Sequence, residues 1–449
     1  MEGLQAWTAT FEDMVWGTPL VALLLGGGVF FALYSRFLPY RHFGHAISIT
    51  LGRHDTVGEP GELSHRQALA AALSGTMGLG NISGVALAII AGGPGAVFWM
   101  WISAIVGIAT KFFTCTLGVM YRGKDSLGQL QGGPMYIIRE ALPRPFYPLA
   151  IMFSVAGLIG TLPLFTANQL TALIQAQVFT QAKDSALTGF GIGCVIAVLV
   201  GIVIFGGLSR VARVAITLLP LMVLTYLGMT LLMLIMHASQ VPDMLAMIFR
   251  EAFNTKAAGG GLLGVILTGV SRGVFSNEAG VGTEVMAHSA ARTSEPVREG
   301  LVAMMGPVAD TLIVCTCTAL VILLAGDWQN PDGLEGVVLT ASAFESNFGT
   351  AGGILLLVIA LILASTTMFS SWYYGAKCFG FLFGAHLQHY YRWIFIITVI
   401  IGSTVSIKVV FNIISGAYGL MAIPTMLASL MLSAKVMTAA RDYFERHPY

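Results

Sequence analysis

Two short segments hold the residue types whose spacing could do chemistry. SGTMGLGNISG (Ser74–Gly84) sets Gly75, Gly78, Gly80, Gly84 and Asn81 among alanine, leucine and isoleucine. TGVSRGVFSNEAGVG (Thr268–Gly282) repeats the theme about 200 residues later, and both carry Asn-x-x-Gly-Val, at Asn81–Val85 and Asn277–Val281. In hydrocarbon a helix is normally continuous, because each backbone N–H and C=O needs a partner and water is absent. A glycine cluster there is either a small-residue packing seam or a break that frees backbone groups. At a break, the N–H groups and positive dipole end of a half-helix suit a carboxylate, and freed carbonyls suit a small cation. A phosphate cradle is excluded, since no strand precedes GTMGLGN and no Gly-Lys-Ser/Thr follows it.

Ionisable residues at membrane depth are functional candidates by default. Arg272 and Glu278 flank the second glycine segment six residues apart and read as an ion pair across it or as gate charges. Asp310 is expected to bond to the second segment or to Arg272 rather than to ligate an ion. Lys111 is placed to snorkel toward a polar face, and Glu284 is expected to face interfacial water. Five cysteines (Cys115, Cys194, Cys315, Cys317, Cys378) lie in or beside apolar runs without zinc-site spacing and read as buried apolar residues. His42, His45, His54 and His65 fall in one connector and His386 and His389 in another; all read as solvated loop residues, not metal ligands. No nucleophile motif supports a hydrolytic triad.

The elements that must position these segments are membrane helices. Of 449 residues 56% are hydrophobic and only 10% charged, against roughly 25% charged in soluble domains; mean hydropathy is +0.80. The net charge of +1 offers no basic surplus for nucleic acid. Apolar runs long enough to span a core of roughly 30 Å occur over 17–38, 66–92, 96–121, 147–172, 188–208, 211–237, 261–288, 300–325, 352–382, 393–410 and 412–435. The acidic N-terminus lacks the basic region and cleavage site of a signal peptide. With the N-terminus outside, seventeen Lys and Arg fall on the cytoplasmic side and four (Lys183, Arg250, Lys256, Lys408) on the external side, a strong positive-inside bias. Each glycine segment opens a block of five spans. Five is odd, so the second block inserts inverted relative to the first, the arrangement of an inverted-repeat transporter. The expected organisation is an additional N-terminal helix and loop (1–65), a first five-helix repeat (66–237), an external amphipathic connector (238–260), a second inverted repeat (261–435) and a cytoplasmic tail (436–449).

On these residues the chain resembles the alanine or glycine:cation symporters, carriers of the LeuT-type fold. The resemblance rests on GTMGLGNISGVALAI (Gly75–Ile89), GGPGAVFWMW (Gly92–Trp101), GVFSNEAGVG (Gly273–Gly282) and ADTLIVCTCTALVILL (Ala309–Leu324), with a looser match at TTMFSSWYYG (Thr366–Gly375). It implies an all-α membrane protein of eleven helices, two of them discontinuous at the centre. It also implies sodium-coupled symport of a small neutral amino acid into the cell across a bacterial inner membrane, with Na+ as the coupling ion and no other cofactor. Proton coupling is the alternative, ahead of a channel, a sensor or an enzyme on the same scaffold. A monomer is expected.

By the same resemblance, substrate contacts fall on Thr76, Gly78, Gly80 and Asn81 of the first broken helix, Gly273, Phe275, Ser276 and Asn277 of the second, and Thr166, Ser371 and Trp372 opposite them. Sodium ligands fall on the Thr366 and Thr367 hydroxyls and on carbonyls near Ser74, Met77 and Leu363. Hydroxyls and carbonyls are the hard oxygen donors such a cation prefers. The chain departs from the family pattern around the substrate. Thr166-Ala167-Asn168 replaces Gln-Ala-Asn, Ser371-Trp372 replaces Trp-Ser, Gly282-Thr283-Glu284-Val285 replaces Gly-Ser-Ala-Pro, and Thr114 stands where a glutamate follows Lys111. A shift of one position turns the indole by about 100° around a helix, so Trp372 does not cap the pocket as the family tryptophan would, and a ligand other than alanine is expected. Removing either the Thr366 or the Thr367 hydroxyl (Thr366→Ala, Thr367→Ala) should weaken sodium activation more than substrate selectivity; unchanged sodium activation of uptake in both variants would reject these ligands.

Overall fold

The computed structural model describes residues 2–54, 58–179, 185–254, 261–329 and 334–447. The end of the 238–260 connector, Lys183 and Lys256 lie outside the described residues. The fold is helical, apart from a two-stranded ribbon pairing Gly123–Lys124 with Leu130–Gln131. Nine helical stretches among the described residues are long and apolar enough to cross a membrane. Two of the apolar runs expected from sequence fall short of that measure. The run 261–288 is divided into helices Gly261–Asn277 and Thr283–His288. The run 393–410 yields the helix Tyr391–Gly402, whose 12 residues reach about 18 Å.

The first glycine segment interrupts its span. A capping box at Ser64 and Gln67 starts the helix His65–Thr76. Met77 (ψ 80°) and Gly78 (φ −136°, ψ −157°) then leave helical geometry, and helix resumes over Leu79–Gly92. The second segment turns more sharply, with positive φ at Glu278 (55°), Gly280 (85°) and Gly282 (102°). Glycine fits two of these; Glu278 is the side chain forced into the left-handed region.

Small residues also make a seam, between the helices Gly261–Asn277 and Gly95–Met120. A Cβ at Gly269 would strike the Ala96 carbonyl and Trp99, and one at Gly273 would strike Ser103. These two glycines, four apart on one face, let the backbones approach. The packing reading therefore holds for Gly273, and the break reading for the residues after it.

The acidic N-terminal stretch forms a helix, Glu2–Val15, laid against Ile407–Met431. Trp16 donates its indole N–H to the Ser415 carbonyl (2.8 Å), and Ser415 donates to Glu12 (2.8 Å).

Several polar expectations are overturned by burial. His65 is 1% exposed, and with His288 it holds the two oxygens of the buried Glu299 carboxylate. That clasp, with the bridge between Leu63 and Ala291, fastens the start of the first interrupted helix to the end of the second. His45 is also buried, bonded to Tyr443 (2.8 Å), and desolvation with His54 beside it pushes its pKa down to about 4. Glu284 and Lys111, 0% and 2% exposed, face protein rather than interfacial water. Lys111 interacts electrostatically with Glu284, Glu278 and Asp310. Thr114, in place of an acid near Lys111, leaves these more distant carboxylates as its counter-charges.

Candidate functional site

The two interruptions meet at Asp310. Its helix, within the span Pro296–Ala325, widens into a π-helical stretch over Val308–Cys315, a distortion common at functional sites. The Asp310 carboxylate accepts from the Asn81 amide (2.5 Å) and from the Ser276 hydroxyl (2.6 Å). One oxygen thus holds the first break and the other the second. Thr311 bonds the same carboxylate (3.1 Å) and receives the Asn277 amide (3.2 Å). The expected bond from Asp310 to the second segment is present as the Ser276 contact; Arg272 is not its partner.

Arg272 and Glu278 do not pair with each other. Six helical residues turn two side chains about 120° apart, and the chain leaves the helix between them. Arg272 approaches Glu12 (3.7 Å) and stacks over the Phe411 ring (3.8 Å). Glu278 instead accepts from Thr283 and from the Tyr418 hydroxyl (3.0 Å).

A cavity of ≈40 Å³ lies at the breaks, lined by Gly75, Thr76, Gly78, Gly80, Thr166, Phe275, Glu278, Thr367, Ser371 and Tyr418, among others. Six expected substrate positions converge on it: Thr76, Gly78, Gly80, Thr166, Phe275 and Ser371. Its wall is aromatic, with Phe275 edge-on to Phe165 (ring centres 5.5 Å apart) and tilted against Tyr418 (5.4 Å). Four expected substrate residues stand elsewhere. Trp372 lines a different cavity, because one step along the helix swings it away from Ser371. Gly273 is spent in the packing seam, Ser276 is turned to Asp310, and Asn277 closes its own turn by accepting from the Ala279 N–H (2.9 Å). Asn81 stands beside the cavity: its amide N–H serves Asp310 while its carbonyl oxygen is buried with no hydrogen-bond partner among the described residues.

The expected sodium donors gather only in part, since Thr367 crosses to the first break whereas Thr366 is turned to carbonyls of its own helix. Thr367 donates to the Ser74 carbonyl (3.1 Å), and Thr366 to the Leu363 carbonyl (3.0 Å). Met77, Gly78, Asn81 and Leu363 also line a void of ≈10 Å³, but Met222, Val223 and Val314 close it and its walls are apolar, so it is not a cation site. Any side chain at Gly78 would collide with the Thr367 hydroxyl, so glycine is required for this close approach. Neutral hydroxyl and carbonyl oxygens of this kind suit a hard monovalent cation.

Sequence reasoning missed Ser370, whose hydroxyl meets that of Ser74 (2.6 Å). It lies three residues from Thr367 on the same helix face, a signal that was available. Tyr418 and Phe165 carried no such signal, being two aromatics among many.

Comparison with known proteins places this geometry. A model of the sodium:alanine symporter family matches residues 1–448. The chain is 36% identical over 441 residues to the sodium/alanine symporter AgcS of Methanococcus maripaludis, covering 97% of this chain and 96% of that one. It is 32% identical over 436 residues to the probable sodium/glutamine symporter GlnT of Bacillus subtilis, covering 96% and 89%. Among solved structures it is similar to MhsT in complex with L-phenylalanine, a LeuT-fold transporter, with a TM-score of 0.62 at 16% identity over 84% of this chain and 90% of that one. At that identity the likeness speaks for the fold.

Asp310→Ala leaves the Asn81 amide and the Ser276 and Thr311 hydroxyls without their buried acceptor, at about 1–3 kcal/mol for a group left unsatisfied, against about 1 kcal/mol for the single hydrogen bond lost in Ser276→Ala. Asp310→Ala should therefore lower the denaturation midpoint of the purified protein clearly more than Ser276→Ala. Equal midpoints for the two variants would contradict the role of Asp310 as the tie between the breaks.

Proposed function

The chain belongs to the sodium:alanine symporter family, and from that premise we propose that it is a secondary transporter carrying a small neutral amino acid into the cell together with sodium. In this reading eleven helices cross a bacterial inner membrane, the N-terminus lies outside and the C-terminus inside, and two inverted five-helix repeats surround the site. The protein acts as a monomer. The observation that carries the proposal is the convergence of both interrupted helices, the Thr367 hydroxyl and the cavity on one place.

The substrate carboxylate would take N–H groups freed near Gly78–Asn81, and its ammonium would take oxygen acceptors around the second break, with the Asn81 carbonyl beside them. Sodium would join the carbonyls of Ser74, Met77 and Leu363 to the hydroxyls of Thr366 and Thr367. Coupling then needs no covalent step. The ion and the substrate both favour the same broken-helix geometry, so each raises the population of the state that binds the other. Alternating access follows when one repeat rocks against the other around that site.

A second reading, proton coupling, is favoured by one observation: Glu278 and Glu284 are both buried near Lys111. Uptake of labelled L-alanine, glycine and L-glutamine into proteoliposomes, with sodium and pH gradients imposed separately, decides between the two. Accumulation driven by sodium alone is expected; accumulation that needs only the pH gradient would replace the sodium reading, and none under either gradient would reject symport.

The substrate side chain is proposed to lie against Thr166 and Ser371, where this chain departs from its family. The names of AgcS and GlnT span alanine and glutamine, and a hydroxyl in place of an indole leaves more room and a polar partner. Ser371→Trp should shift competition toward glycine and alanine and away from glutamine. An unchanged competition profile would place the selectivity elsewhere.

A further inference from the structure

A second and larger cavity, ≈390 Å³, lies on the face that carries the basic loops, lined by Lys377, Glu62, Gln129, Gln388, Trp372 and Tyr373, among others. Ligand pockets span roughly 300–1,000 Å³, so its size suits a free small molecule. It lies across the helix Thr350–Phe383 from the central site: Ser371 lines one cavity and Trp372, the next residue, lines the other.

Lys377 is the feature without an internal explanation. It is 8% exposed. Its ammonium donates one long bond to the Met286 carbonyl (3.5 Å) and stands over the Tyr373 ring at 4.7 Å. Among the described residues no carboxylate forms an ion pair with it. A buried ammonium is costly unless paired, yet the charges acting on Lys377 are more distant: Glu62 and Asp125 attract and Arg122 opposes. Asp125 is committed to Gln131 and to the backbone N–H groups of its own turn. Glu62 is exposed at the rim. The cavity thus offers a desolvated cation that lacks a close anion, a separate rim carboxylate, glutamine amides, and two aromatic walls.

We propose that this cavity is a second amino-acid site, which holds the zwitterion with its carboxylate on Lys377 and its ammonium toward Glu62, on the side where the transported amino acid is released. The identification of its ligand with the transported one rests on the function proposed above. The site is built without the sodium donors, so its binding is independent of sodium. Its two framing groups come from separate elements: Lys377 is on the helix that carries Thr366 and Thr367, and Glu62 is in the connector before the first interrupted helix. Amino acid bound there would load the release side.

Equilibrium binding of tritiated L-alanine, L-glutamine and L-phenylalanine to the purified full chain, in sodium chloride and in choline chloride, tests this. At least one probe should bind in choline through a component separate from the sodium-dependent one. Loss of a charge-assisted contact should weaken that component by about tenfold or more in Lys377→Met and in Glu62→Gln, while the sodium-dependent component stays within about twofold. The latter also reports that both variants are folded. No choline component in the wild type, or one that both variants retain, overturns the proposal. If the choline component behaves as expected and sodium-dependent binding is absent from the wild type, the second site stands and the sodium-coupled reading falls. Propionate and L-alaninamide, each carrying one of the two charged groups, should compete poorly. Competition by propionate equal to that of the amino acid would make this a general carboxylate site and overturn the zwitterion assignment.

Discussion

A backbone group in hydrocarbon has no water to fall back on, and each polar group left unpaired there costs several kcal/mol. Interrupting two helices at that depth is tolerable only if something else holds the loosened segments. Here that is the Asp310 carboxylate, which accepts from Asn81 on one side and Ser276 on the other. The π-helical stretch that presents Asp310, the close approach of Gly78 to Thr367 and the clasp of His65 and His288 on Glu299 follow from the same requirement. Segments freed from their own helices must be held by their neighbours.

The held geometry leaves specific groups available. The Asn81 amide splits its work, with its N–H given to Asp310 and its carbonyl oxygen left over. The Thr367 hydroxyl bonds a carbonyl of the other helix, Ser74, so the helix Thr350–Phe383 is joined to the first break by neutral oxygens. In the proposed transport cycle a sodium ion at these oxygens would strengthen that junction. This explains how an ion could bias substrate binding without touching every substrate contact.

The parts that were legible in the sequence are those a local pattern encodes. The Asn-x-x-Gly-Val repeat located both interruptions, and apolar run length located most of the helices. The pocket residues Thr76, Gly78, Gly80, Thr166, Phe275 and Ser371 followed once a family resemblance supplied the alignment. What was not legible depends on direction and on long-range partners. The turn of the helix takes Trp372 off the central pocket, as its spacing implies, but that it lines a second cavity depends on the loops packed against it. Gly273 looks like a member of the break and is spent on Ser103 and Met100. Arg272 takes Glu12, some 260 residues away in sequence, from a stretch that reads only as an acidic terminus. His65 reads as a loop histidine because the loop has that composition; its burial is decided by Glu299, which no spacing rule connects to it.

Linkage offers the most direct test of the central claim that one broken-helix geometry serves both ion and substrate. The sodium affinity of the purified protein should be measured with and without saturating amino acid, and the amino-acid affinity with and without saturating sodium. The two affinities should tighten by the same factor, roughly 5–150-fold for a coupling of 1–3 kcal/mol, and Asp310→Asn should shrink both factors together. Sodium and amino-acid affinities that are independent of each other in the wild type would contradict the claim.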